Sequence, residues 1–249
     1  MLIDTHCHIH EVDFPLAVNE VLQHAKDANV QQLICIGTNV ESSQAAIVFA
    51  DNHDHVWASV GVHPHDTQNG YDAIRSLAGT SDKIIAIGEI GLDYFYTHST
   101  KEVQIRALEF QIQIALAHNL PIIFHVREAF DDFWPIFEKY PGIRGELHSF
   151  TDTKENLNKA LSKGLYIGVN GISTFTKDQL QKDMFDSIPL NRLLLETDAP
   201  FLTPAPFRGK VNEPAFVRNI AEYHANRRGI SVQKIASATT ANTKKLFAL

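Results

Sequence analysis

Short apolar runs alternate with longer amphipathic stretches along the whole chain. Eight runs stand out: LIDTH (2–6), LICIG (33–37), VWASVGV (56–62), IIAIGE (84–89), PIIFHV (121–126), RGELHSF (144–150), LYIGV (165–169) and RLLLETD (192–198). Several are apolar throughout, the pattern of parallel strands covered on both faces. Between them the spacing turns helical. Val18, Val21, Leu22 and Ala25 share one helix face, as do Leu108, Ile112, Ala115 and Leu116. Pro214 is placed to open a helix containing Val217, Ile220 and Ala221, and another runs from about Ser231 through Ile235 and Ala238 towards Leu246. No repeat, low-complexity tract or Pro/Gly/Ser-rich linker interrupts the alternation. Eight βα units in 249 residues predict an α/β protein, a single-domain (β/α)8 TIM barrel over 1–249 with its active site at the C-terminal strand ends. A doubly wound open sheet is the alternative, but no Gly-rich dinucleotide fingerprint follows any strand.

Composition narrows the class without changing it. Hydrophobic residues make up 44% and charged residues 20%, an ordinary globular balance. No apolar run approaches the roughly 20 residues that span a bilayer, so no membrane partner is expected. The N-terminus lacks a basic region followed by an apolar stretch, and Cys7 and Cys35 are too few for a disulfide framework. A reduced cytoplasm is the expected location. Net charge is −7, which argues against a broad electrostatic platform for duplex nucleic acid. It leaves room for a phosphate-bearing substrate, because bound divalent ions reverse the local sign.

The histidines change the picture most. In "LIDTHCHIH", His6 and His8 lie two apart, so a strand projects both from one face. The fourth strand is expected to end in Glu89, the fifth in His125, the sixth in His148 and the eighth in Asp198. In a barrel, these four histidines and two carboxylates, from five strands, share one mouth. That is more than one catalytic metal needs. It suits two divalent ions about 3.5–4 Å apart, bridged by a carboxylate and a water. Imidazole favours zinc or manganese over magnesium alone, while carboxylates accept either class, so the metal stays open among Zn, Mn and Mg.

The ordered motifs DTHCHIH, GVHPHD, GEIGLDYFY, PIIFHVREA, LLLETDAPFLTP, RGKVNEP and TTANTKKLF resemble those of TatD-type metal-dependent hydrolases, within the amidohydrolase-like superfamily. The resemblance runs from residue 2 to residue 247. GEIGLDY and ETDAPFL are specific signatures, whereas H-x-H is shared more widely. The resemblance implies a barrel with a binuclear site and a deoxyribonuclease acting on DNA ends; the negative net charge favours single strands over long duplexes. It also implies that His6 and His8, completed by Asp198, hold the first metal, that Glu89 bridges, and that His125 and His148 hold the second. Two departures are visible. The run after strand six reads HSFTD where relatives commonly have H-C-F-S-G, and position 10, often acidic in relatives, is His10.

In such a site a shared water attacks the phosphodiester, and Asp198 orients it and accepts its proton, with Glu89 fixing the metal spacing. His63 and Arg127 are candidate substrate contacts, with His65 and Arg208 behind them. Each arginine can alternatively staple a loop through an ion pair. Tyr94, Phe95 and Tyr96 can stack on a base or simply pack. Asp93 can orient a ligand histidine or cap a turn. His10 reads as a loop residue beside the site, and Cys7 as packing around the barrel. Two other functions fit less well. Hydrolysis of an amide, ester, lactone or small phosphoester keeps the metals; in the wider superfamily a carboxylated lysine often bridges, yet here the position holds Glu89. A non-catalytic scaffold should have lost a ligand, and all six positions are filled. The oligomeric state is open, with a monomer sufficient.

Overall fold

A computed structural model describes residues 1–249. Eight strands form one sheet in sequence order: β1 (Leu2–Cys7), β2 (Val30–Ile36), β3 (Val56–Val60), β4 (Ile84–Asp93), β5 (Ile122–Arg127), β6 (Gly145–Leu147), β7 (Tyr166–Val169) and β8 (Leu193–Leu195). Beyond the last strand, Cys7 bridges Ala199 in parallel, and His8 N–H donates to Ala199 O at 2.8 Å, so the first strand meets the segment following the last. Sequential parallel strands alternating with helices define the (β/α)8 barrel. No helix is long and apolar enough to cross a membrane.

The chain divides into two compact units, Met1–Cys35 with Ser149–Leu249, and Ile36–His148. In the first, Leu33, Ile34, Ile167, Leu193 and Leu194 are buried strand residues, covered by helices that bury Val217, Ile220, Ile235 and Leu246. The predicted C-terminal helices form here. Pro214 opens a 3-10 turn leading into helix Val217–Arg228, and Ser231 caps helix Val232–Phe247 by accepting from Lys234 N–H. In the second unit, Ile87, Phe124, Leu108 and Ile112 are buried to the same degree, and Phe124 packs edge-on to Phe133 at 5.1 Å.

Two differences from the sequence pattern matter for the site. Strand β4 does not stop at Glu89 but continues to Asp93, buried at all ten positions. Gly91 makes the continuation possible. It pairs with His125, and a Cβ on Gly91 would fall 1.7 Å from His125 O, so only a residue without a side chain lets β4 and β5 approach there. The sixth and eighth strands are shorter than their apolar runs, which leaves His148 one residue and Asp198 three residues past a strand end.

Candidate metal centre

In the first unit, His6 Nε2 and His8 Nε2 lie 3.6 and 3.3 Å from Asp198 Oδ1. The three ligand atoms are mutually within 4.8 Å. The pairing of β1 with β2 shifts register between Asp4 and Cys7, and such irregularities re-aim side chains. Asp198 sits in the left-handed region at φ 60°, a conformation that costs a non-glycine residue about 1–2 kcal/mol. It is pinned from both sides, because its N–H donates to His6 O at 2.8 Å and its carbonyl accepts from Phe201 N–H at 2.8 Å. Next to it, Thr197 N–H donates to Asp4 Oδ1 at 2.8 Å, and Thr197 Oγ1 lies 2.5 Å from Asp4 Oδ2. Burial pushes the Asp4 carboxyl well above the usual carboxylate range, against the opposing pull of the Thr197 bonds. This buried staple joins β1 to the segment after β8 and holds His6 opposite Asp198.

In the second unit, Glu89 is the centre. Its Oε1 lies 2.9 Å from His125 Nδ1, 3.6 Å from His63 Nε2 and 3.7 Å from His148 Nε2. The β4–β5 register shifts between Ile87 and Ile90, on either side of Glu89. His125 is oriented from behind, since its Nε2 lies 2.9 Å from Asp93 Oδ2. A carboxylate on one ring nitrogen fixes the tautomer that leaves the other, here Nδ1, as the electron-pair donor. His65 Nε2 lies 3.0 Å from the same Asp93 oxygen, while Asp93 Oδ1 accepts the N–H groups of Phe95 and Tyr96. Burial pushes the Asp93 carboxyl up, but these bonds, led by His125, hold it well below the usual range. The same partners, Asp93 and Glu89, outweigh burial at His125 and raise its pKa.

His63, Glu89 and His125 could together reach one ion. The hydrogen bonding of His63 points elsewhere. Its Nδ1 accepts from His65 N–H at 3.1 Å, so in the neutral ring Nε2 carries the proton and donates rather than ligates. Burial and the neighbouring His125 keep the His63 pKa well below its ordinary value, so the ring is neutral at pH 7. Two buried glutamines of helix Lys101–His118 secure the strand ends. Gln104 exchanges hydrogen bonds with the Asp93 backbone, and Gln111 does the same with Val62, just before His63. Asp4, Thr197, Gln104 and Gln111 carry no sequence signal of this role, because buried polar side chains read as surface until their partners are known.

The remaining sequence candidates separate clearly. Arg127 lies 3.8 Å over the Phe95 ring and 5.2 Å from Tyr96, with Phe95 and Tyr96 themselves 48% and 43% exposed. Tyr94 packs instead, donating to Asp132 and lying under Lys101. Arg208 staples its own loop, but through Thr203 O and the Phe175 ring rather than a carboxylate. Asp93 both orients a histidine and caps the following turn. His10 lies past the strand, buried, with Nε2 3.4 Å from Glu11 Oε1; burial opposes its protonation, but Cys35 and Glu11 raise its pKa to about 9. Cys7 is fully buried and directs its thiol to Ile34 O.

The donor chemistry fits divalent ions: imidazole nitrogens with a carboxylate in each set, and a carboxylate behind one of the ligand candidates. A (β/α)8 barrel presenting such sets where its strands end is a metal-dependent hydrolase. The chain belongs to the TatD related DNase family, whose model covers residues 3–248. It is 36% identical over 253 residues to the uncharacterized metal-dependent hydrolase YabD of Bacillus subtilis, covering 99% of both chains. It is 37% identical over 244 residues to the 3'-5' ssDNA/RNA exonuclease TatD of Citrobacter rodentium, covering 93% of this chain and 92% of that one. Among solved structures it resembles the TatD homologue YJJV from Escherichia coli K12, with a TM-score of 0.91, 29% identity, and coverage of 100% and 98%.

Proposed function

We propose that this protein is an exonuclease that hydrolyses phosphodiester bonds at the ends of single-stranded DNA or RNA, using two divalent ions. The observation that carries the reading is the pair of ligand sets, His6, His8 and Asp198 in one unit and Glu89, His125 and His148 in the other. The exonuclease named among the relatives supports the choice of bond and substrate. His6, His8 and Asp198 would hold one ion, and Glu89, His125 and His148 the other. Bound ions supply Lewis acidity towards the phosphoryl oxygens and bring the pKa of a water near neutrality.

The chain's own residues do the rest. Asp198 orients the attacking water and accepts its proton as the new P–O bond forms and the leaving oxygen departs. His63 donates Nε2–H to a non-bridging phosphoryl oxygen, where charge develops in the transition state. Arg127, lying over the Phe95 ring, offers its guanidinium to a phosphate.

The test is metal-stripped protein on single-stranded DNA and RNA labelled at either end, with magnesium, manganese or zinc restored separately, and Glu89→Ala alongside as the control for contaminating nuclease. Stepwise shortening from one end, absent in the variant, is the expected result. Metal uptake without cleavage overturns the nuclease assignment and leaves a hydrolase of amides, esters, lactones or small phosphoesters. Failure to take up metal overturns the mechanism altogether.

A further inference from the structure

A pocket of about 490 Å3 opens within the Ile36–His148 unit, lined by His65, Asp66, Gln68, Asn69 and His98. Its size falls within the roughly 300–1,000 Å3 of small-ligand clefts. None of the ligand candidates lines it, yet it adjoins them. His65 in its wall shares Asp93 Oδ2 with His125, at 3.0 and 2.9 Å.

The lining is the wrong chemistry for a phosphate. It holds no lysine or arginine and includes the Asp66 carboxylate. It is the right chemistry for a base. Two of the lining side chains are rings, His65 and His98, 4.9 Å apart, and Tyr96, outside the lining, packs against both, edge-on to His65 at 5.2 Å and 5.6 Å from His98 at 31°. Aromatic surfaces of this kind stack on any base. The rest of the lining carries two amides and a carboxylate, the groups that read base edges, and a carboxylate accepts from an exocyclic amine.

We propose that this pocket receives the base of a nucleotide flanking the scissile bond, and that it favours bases with an exocyclic amine, cytosine above all, over thymine and uracil. Asp66 accepts from the amine, Gln68 and Asn69 address the rest of the edge, and His65 with His98, backed by Tyr96, meets the ring face. This inference rests on the exonuclease reading and adds a sequence preference to it.

The experiment compares metal-loaded enzyme on single-stranded oligonucleotides identical except for dC or dT at each of the two terminal positions. The same pair is prepared as ribonucleotides with C or U, and bis(p-nitrophenyl) phosphate serves as a phosphodiester without bases. The expected result is a preference in kcat/KM of about tenfold for cytosine at one position, the lower end of what a good base-edge contact supplies. Asp66→Ala brings that ratio to within about twofold, whatever it does to the absolute rate, and Asp66→Asn, closer in shape, gives an intermediate ratio. Oligonucleotide cleavage with no base preference overturns the pocket assignment and leaves the nuclease intact. A preference that survives Asp66→Ala, or one that follows the sugar rather than the base, overturns it too. Turnover of bis(p-nitrophenyl) phosphate with no oligonucleotide cleavage overturns the exonuclease reading and the pocket with it.

Discussion

Replacing Asp93 by Asn tests the second ligand set without touching a ligand. The carboxylate has no spare acceptor. Oδ2 faces His65 Nε2 and His125 Nε2, and Oδ1 takes two backbone N–H groups. An asparagine keeps the shape but must turn its NH2 towards one of these pairs. Turned to the backbone, it sets donor against donor in a buried site, which costs about 1–3 kcal/mol. Turned to the rings, it drives the His125 proton onto Nδ1, the nitrogen that faces Glu89 at 2.9 Å and that is proposed as a ligand. Turned to the backbone the cost falls on stability; turned to the rings, which spares the buried N–H groups, a cost of the same order falls on metal binding. At 1.4 kcal/mol per decade, 1–3 kcal/mol is roughly a 5- to 150-fold loss, which brackets the 10- to 100-fold typical of lost outer partners. Calorimetric titration of manganese or zinc into metal-stripped wild type and Asp93→Asn should show one site weakened by about tenfold or more. Urea unfolding in parallel confirms that the variant is folded. A folded variant whose two sites both bind within twofold of wild type would refute the reasoning.

Three further expectations follow from the same geometry. His63→Ala should lower kcat on a phosphodiester by about 10²–10³, as for a lost donor at developing charge, while metal uptake stays within about threefold; a larger loss of uptake would make His63 a ligand. Gly91→Ala, whose Cβ would meet His125 O at 1.7 Å, should cost about 3 kcal/mol or more in urea unfolding, and a cost under about 1 kcal/mol would mean β4 yields there without strain. His224 donates Nε2–H to Ser173 Oγ in a fully buried site that, chiefly by desolvation, depresses its pKa to about 3. The unfolded chain then binds a proton that the folded chain does not between about pH 6.5 and pH 3, so stability is lost as pH falls through that window and levels off below it. His224→Gln should flatten that slope in urea midpoints measured from pH 7 to pH 4; an unchanged slope would show that the acid sensitivity lies elsewhere.

What could be read from the chain, and what could not, divides along physical lines. Apolar runs report burial, and burial is what strand and helix spacing encode, so eight strands and the ligand candidates near their ends were visible in the letters alone. His6 and His8 were readable because a strand puts alternate residues on one face. Glu89 and Asp198 were readable as chemistry but not as geometry. Nothing in GEIGLDYF says that β4 runs on to Asp93, because the cause is a steric gap at Gly91 that exists only once β5 is beside it. Nothing in ETDAP says that Asp198 stands at positive φ, tied to His6 O by its own N–H. The polar staples were invisible for a further reason. Asp4, Gln104 and Gln111 earn their burial from partners 193, 11 and 49 residues away, and no local pattern carries information over that span. The readable residues are therefore those whose role follows from their own backbone, and the hidden ones are those that set angles between segments. That division has a consequence for substitution. Changing a readable residue should remove a ligand or a proton acceptor, whereas changing a hidden one should leave every ligand present and spoil their mutual aim, lowering metal affinity before stability.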